Sequence, residues 1–374
     1  MRSMARWLVP LSVTATLATG VAVSSAQAGG TPDLPPSTPE KVLASVAGSA
    51  VTALSGTVVT RADLGLPSLG DLAPSTSSAD DPTGLVTRFL SGRNTLRLWL
   101  DGPTKQRAQL LDPFSELDVV RNGTDVWTYT SRGNLVQHGT LPARPASPAS
   151  AAAAAPARLT PAELAQRVIA TAGPTTRVTL GAPELVASRK AYALTLTPTS
   201  EATLVGRVVI AVDAERGVPL RVQVFPRGTA QPAVETGFTS VDFGTPGADR
   251  FTFTPPQGAT RTELGRAPAP STAKPSLPAS ERPTVTRAGW ASIVEVPAAA
   301  LRDPQSRPAG GTRPAPAQAA RSRQGLAALE QLTTPTPAGR GLRTSLVSVL
   351  FTNDGRVLAG AVPLQALIDA AAKK

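Results

Sequence analysis

Hydrophobic and polar positions alternate almost strictly through the middle of this chain. Between Arg207 and Gly258, Val218, Leu220, Val222 and Val224 fall on one side, and Pro219, Arg221 and Gln223 on the other. A period of two predicts an antiparallel strand with one face in an apolar environment. Leu96, Leu98 and Leu100 alternate in the same way with Arg97 and Trp99. Further strands are predicted at 106–111, 117–121, 126–130 and 135–141, separated by Asp-Gly-Pro, Asp-Pro and Asn-Gly-Thr-Asp turn signals. A second meander is predicted over 176–181, 184–187, 190–197, 204–213, 218–225, 234–243 and 250–254, with Gly217 supplying the positive φ of a hairpin loop that starts at Asp213.

Two stretches carry helical spacing instead. Over 39–53, Val42, Val46 and Leu54 share a face, and Glu40 suits the positive end of the helix dipole. Over 160–173, Thr160 is a cap, Pro161 takes the first position, Leu164, Val168 and Ile169 form the apolar face, and Gly173-Pro174 ends the helix. Towards the C-terminus the order is βαββα. It comprises a strand at 289–296, a helix at 324–332, a hairpin of 344–351 and 356–362 across Asn353-Asp354-Gly355, and a closing helix at 363–371.

Composition divides the chain. Arg2 and Arg6, an apolar run over 7–23 and Ala26-Gln27-Ala28 predict an export signal over 1–28, cleaved before Gly29. The run is diluted by Pro10 and Gly20 and falls short of the roughly 20 apolar residues that a membrane span needs. A lead over 29–38 is followed by the main β unit over 39–262, which has a low-complexity insertion at 142–158. A Pro/Ala linker over 263–284 leads to a small α/β module over 285–374, interrupted by a basic, Pro-rich segment at 302–323. The formal charge of +11 is uneven, since 266–374 hold 14 Lys and Arg against 6 Asp and Glu. That tail suits peripheral contact with anionic lipid headgroups. Nucleic acid fits poorly, because no aromatic residues interleave with the basic ones.

Chemistry is sparse. With no cysteine, thiolate catalysis, disulfides, Cys-ligated metal and a lipid anchor on cysteine are all excluded. His138 is the one histidine, and no G-x-S-x-G elbow accompanies it. Ser271-Thr272-Ala273-Lys274 matches S-x-x-K by chance, since it lies between Pro270 and Pro275 in the linker. Acidic pairs such as Asp80-Asp81 and Asp213/Glu215 sit in or beside turns and follow no EF-hand spacing. The reading is a protein that is not an enzyme and has no cofactor and no metal.

Three motifs resemble the periplasmic lipoprotein carriers of LolA type. Gly123-Thr124-Asp125-Val126-Trp127-Thr128-Tyr129 is similar to their DG-x-x-W-x-Y strand. Gly217-Val218-Pro219-Leu220-Arg221-Val222 is similar to their G-x-P-x-x-V strand. The segment from Phe251 to Gly258 resembles their F-x-F-x-P-P-x-G ending. The resemblance implies an α+β fold whose core is an unclosed antiparallel β-barrel, a half-barrel with lid helices at 39–53 and 160–173. It also implies a hollow that takes up the acyl chain of a lipid or lipoprotein, in a carrier or an envelope scaffold. Regulators of RseB/MucB type share that domain and add a smaller one, which implies as an alternative that 285–374 contact a membrane anti-sigma factor.

Physics sets what such a hollow must supply. Drawing a chain of about 15 methylenes out of a bilayer forfeits roughly 0.8 kcal/mol each, or about 12 kcal/mol. The candidate lining is Leu96, Leu98, Leu100, Trp127, Tyr129, Leu194, Leu196, Val222, Val224 and Phe238.

Overall fold

A computed structural model of the chain describes residues 32–65, 92–112, 115–141, 175–263, 282–286, 289–297 and 332–373. The signal expected over 1–28, the insertion expected at 142–158, the helix expected at 160–173 and the basic segment 302–323 lie outside the described residues.

The alternating stretches form one long sheet. Its first meander is β1 (Ala53–Ala62), β2 (Gly92–Asp101), β3 (Lys105–Asp112), β4 (Ser115–Asn122), β5 (Asp125–Thr130) and β6 (Leu135–Thr140). The second is β7 (Thr176–Leu180), β8 (Glu184–Val186), β9 (Arg189–Pro198), β10 (Val205–Asp213), β11 (Pro219–Pro226) and β12 (Val234–Asp242). A last strand, β13 (Thr260–Glu263), completes it. The order across the sheet is β13-β6-β5-β4-β3-β2-β1-β12-β11-β10-β9-β7, with β8 paired to β9. Every pairing is antiparallel except that of β13 with β6. β1 and β12 join the meanders through a long-range ladder in which Val58 faces Phe238 and Thr60 faces Thr236. β13 and β7 do not pair with each other, so the barrel stays open. The fold is an α+β half-barrel with a C-terminal module.

The segment 250–254 differs from its prediction as a strand. It contains a 3-10 turn at Ala248–Phe251 and then runs unpaired to β13. Gly244, Pro246, Gly247, Pro255 and Pro256 explain this, since glycine and proline deny it a ladder. Its alternating Phe251 and Phe253 instead pack against the sheet as a strap.

Helix α1 (Pro39–Ala47) starts where expected. The Thr38 hydroxyl accepts from the Lys41 amide at 3.4 Å, and Pro39 occupies the first turn. It ends well before residue 53, because Gly48 caps it and the chain enters β1 at Ala53. The Ser49 hydroxyl then donates to the Arg216 carbonyl at 2.9 Å. Gly217, at φ 67°, lies directly under the helix, and a Cβ there would collide with the Ser45 carbonyl. The loop at 213–217 therefore carries the C-terminal end of α1.

The module is a second sheet, of β14 (Thr284–Thr286), β15 (Ile293–Val296), β16 (Thr334–Thr336), β17 (Gly339–Arg343), β18 (Ser348–Thr352) and β19 (Val357–Gly360), ordered β14-β15-β19-β18-β17-β16. Helix α2 (Leu364–Ala372) covers it, with Leu364 and Leu367 buried against Ile293, Leu350 and Leu358. The helix expected at 324–332 lies outside the described residues except for Leu332. β14, β16 and β17 are additions to the expected βαββα order. β17 shows no alternation because Gly339 and Gly341 occupy it. Gly341 lets Leu364 of α2 lie on the strand, where any Cβ would meet its side chain.

The module docks on the half-barrel. The Leu204 amide and the Thr203 hydroxyl both donate to the Ala361 carbonyl at 2.8 Å, and the Ser345 amide donates to the Leu64 carbonyl at 2.9 Å. The Trp290 indole donates to the Thr176 hydroxyl at 2.7 Å.

Candidate functional site

Cross-strand partners in a sheet share a face, so the register sorts the candidate lining without reference to side-chain contacts. Leu194, Ile210 and Val222 form one rung across β9, β10 and β11; Leu196, Val208 and Val224 form the next. The first rung continues through Thr236, Thr60 and Asn94. One step along β1 and β12, Phe238, Val58, Leu96, Leu110 and Leu117 make an apolar rung on that same face. Leu98 and Leu100 extend it opposite Gly56 and Leu54. Eight of the ten candidates therefore lie on one face: Leu96, Leu98, Leu100, Leu194, Leu196, Val222, Val224 and Phe238.

Trp127 and Tyr129 lie on the other. They pair with Val120 and Asp118 of β4, whose neighbours on β3 are Arg107 and Gln109. There the strap covers them. Phe253 stacks at 5.5 Å on Trp127 and lies 6.3 Å from Tyr129, and His138 stacks on Trp127 from β6 at 4.0 Å. His138 Nε2 is 3.2 Å from Asp125 and Nδ1 is 3.9 Å from Glu263 of β13, so the histidine helps to seat the strap's end. Beneath the strap, Arg107 forms a two-pronged ion pair with the buried Asp118, at 3.1 and 2.7 Å, and donates to the Arg250 carbonyl at 3.3 Å. Burial pushes the Asp118 carboxyl above its usual value, against the opposing pull of the Arg107 hydrogen bonds.

The eight-residue face has two apolar fields. In the first, Leu194, Leu196, Val208, Ile210 and Val222 pack with Val42, Leu43 and Val46 of α1 and with Leu346, Trp290 and Ala361 of the module. Val42 is 2% exposed and Leu346 6% exposed. In the second, Val58, Leu96, Leu98, Leu110 and Phe238 cluster with Leu54, Ala108 and Leu117 and with Leu220. The cluster continues past the irregularity between β10 and β11 to Val186, Ala191 and Ala211, the last two out of phase with Leu194 and Ile210. Between the fields Thr60 and Thr236, both buried, hydrogen-bond through their hydroxyls at 3.0 Å. Each hydroxyl thereby escapes the cost of unpaired burial.

α1 is latched at both ends. Ahead of it, Lys190 donates to the Asp33 carbonyl at 3.1 Å and Tyr192 to the Pro35 carbonyl at 2.9 Å. Behind it, the fully buried Asp213 carboxylate accepts from the Glu215 and Arg216 amides at 3.0 and 2.6 Å and from Arg189, which shapes the loop that supports Ser45. Val208, Ile210 and Val58 belong to the face as well. Val208 and Ile210 hide in an unbroken apolar run, because β10 is buried on both faces and alternation vanishes there.

Among the described residues no group of three or more His, Cys, Asp or Glu is placed to hold a metal ion.

No family model matches the chain, and no curated protein matches it. Similar solved structures include the MucA/MucB complex of Pseudomonas aeruginosa, at 16% identity over 89% of this chain and 96% of that one, with a TM-score of 0.40. An uncharacterized conserved protein from Thermus thermophilus is similar at 11% identity over 60% of this chain and 98% of that one, with a TM-score of 0.32. A LolA superfamily protein from Nitrosomonas europaea is similar at 11% identity over 58% of this chain and 99% of that one, with a TM-score of 0.22. These likenesses concern the path of the chain and transfer no residue's role.

Proposed function

We propose that this is an exported, non-catalytic binding protein of the cell envelope that holds the acyl chain of a lipid or lipoprotein against the eight-residue face. The observation that carries the reading is the gathering of Leu96, Leu98, Leu100, Leu194, Leu196, Val222, Val224 and Phe238 onto one side of an open sheet. α1 supplies a lid of suitable strength. Nine residues are too few for a stable isolated helix, so packing of Val42, Leu43 and Val46 holds it in place. Three partly or fully buried aliphatic side chains are worth on the order of 5 kcal/mol. That is less than the roughly 12 kcal/mol released when a 15-methylene chain leaves water. A guest therefore displaces the lid. A guest taken from a bilayer requires the lid to close again over it, because the site must match all that the bilayer offered.

Native mass spectrometry of protein purified from its own envelope tests the reading. The expected spectrum shows a non-covalent adduct of lipid mass, and added fluorescent fatty acid competes with it. Purely apo protein that ignores the fatty acid contradicts the proposal.

A second reading rests on the module. Val285 and Val294 face each other across β14 and β15, yet are 64% and 39% exposed, and Val347 is 38% exposed. The exposed Val285–Val294 pair suits a protein contact, with an envelope regulator as the partner. Failure of full-length protein to retain any membrane protein, with or without Val285→Lys, removes it.

A further inference from the structure

The face opposite the proposed acyl site carries a cleft of about 500 Å³ where β11, β12, β1 and β2 lie side by side. Arg61, Asp63, Arg93, Gln223, Gln231 and Glu235 are among its lining. Four of these form a rung of direct cross-strand partners in the order Gln223, Glu235, Arg61, Arg93. Glu235 is already engaged on both oxygens. Gln223 donates to one at 2.6 Å and Arg61 to the other at 3.3 Å. Asp63 accepts from the Gly65 amide at 3.3 Å. Among the described residues no carboxylate lies within ion-pair distance of Arg93.

Two arginines thus stand on neighbouring strands as direct cross-strand partners, with the carboxylates of Glu235 and Asp63 in the same cleft. Like charges in that position repel and destabilise a sheet. The arrangement becomes favourable when an oxyanion sits between them, because each guanidinium offers a planar fork of donors that matches such a group. Glu235 and Asp63, which also line the cleft, repel a second negative charge, which selects a singly charged group.

We propose that this cleft binds a singly charged oxyanion of the phosphodiester type, held between Arg61 and Arg93, with Gln231 available to donate to a remaining oxygen. A phosphodiester reaches the site either as a lipid headgroup or as a free soluble ester. The site lies on the other face of the sheet from the acyl site, so it stands whether or not an acyl chain binds there.

The test uses the full chain in low salt with two probes, glycerophosphoglycerol in a calorimetric titration and phosphatidylglycerol vesicles in cosedimentation. Binding of the soluble ester assigns the free form, and binding of vesicles alone assigns the headgroup. In either arm Arg93→Gln is expected to weaken binding at least about tenfold. It should leave the melting temperature unchanged or raised, since among the described residues Arg93 holds no ion pair and its removal relieves repulsion with Arg61. A residue that merely stabilised the sheet would lower it. Fatty-acid binding is expected to be the same in Arg93→Gln and the parent chain, which separates this site from the acyl one. Failure of both probes to bind overturns the proposal, as does binding indifferent to both Arg93→Gln and Arg61→Gln.

Discussion

Asp213→Ala is expected to destabilise the protein by about 3 kcal/mol and to loosen α1 before the sheet melts. The Asp213 side chain is fully buried and serves three partners at once: Arg189 and the Glu215 and Arg216 amides. Hydrogen bonds to an ionised acceptor are each worth roughly twice a neutral one, and alanine replaces none of them. The backbone of 213–217 is what Ser45 and Ser49 rest on, so the damage passes to the lid. Hydrogen exchange should rise first over 39–47, together with binding of a hydrophobic dye to the uncovered Leu194–Ile210–Val222 rung. Uniform loss of protection across both sheets, with no earlier change over 39–47, contradicts the link between loop and lid. Asp213→Asn should fall between alanine and the parent chain, because its carbonyl oxygen still accepts from the loop amides.

Arg107→Met is expected to cost about 3–5 kcal/mol at neutral pH, because it strands a buried carboxylate beneath the strap. Asp118→Asn should cost less, about 1–2 kcal/mol. The Arg107 side chain remains 20% exposed and keeps its contacts with the Arg250 carbonyl and the Trp99 ring. The pH dependence distinguishes the two variants and has a definite sign. The folded carboxyl of Asp118 has its pKa raised by burial, so just above the ordinary aspartate value of about 4 the folded chain keeps a proton that the unfolded chain has lost. Its contribution to stability is therefore largest at low pH and declines as pH rises through the raised value. Asp118→Asn removes that slope. The cost of Arg107→Met should shrink on acidification, as the stranded carboxylate becomes neutral. Denaturant melts between pH 4 and pH 7 measure both effects, and a cost for Arg107→Met that is independent of pH contradicts the account.

Much of the half-barrel was legible because its strands are short, alternate strictly and are linked by turn residues. Leu96-Arg97-Leu98-Trp99-Leu100 announces both its conformation and its buried side. What alternation cannot show is which side of one strand matches which side of the next. That depends on register, and register depends on turns. Through β3 and β4 the leucine side of β2 reaches Thr128 and Thr130, so Trp127 and Tyr129 emerge under the strap. Two aromatic residues in a strand resemble core, and here they lie half-buried on the opposite face, beneath the strap. The strap misled for a related reason. Phe251 and Phe253 alternate like a strand, but Phe251 is buried in a 3-10 turn and Phe253 packs on Trp127 and Tyr129, rather than pairing along their backbone. α1 was visible from its spacing and from Glu40 in its first turn, and its early end coincides with Gly48, a local signal that the expected boundary at 53 overlooks. The contact of Ser49 with the Arg216 carbonyl, 167 residues away in sequence, is what no local pattern encodes. The arginine pair at Arg61 and Arg93 was equally hidden, since it exists only once β1 and β2 are aligned.

The claim beneath the functional reading is that one side of the large sheet receives an acyl chain. Photocrosslinking with a diazirine-bearing fatty acid, followed by peptide mapping, addresses it most directly. The account predicts adducts on Leu96, Leu98, Val58 or Phe238 and on α1 around Val42, with competition by unlabelled fatty acid. Adducts confined to the strap side, around Trp127, Tyr129 and Phe253, or labelling that no competitor reduces, would contradict it.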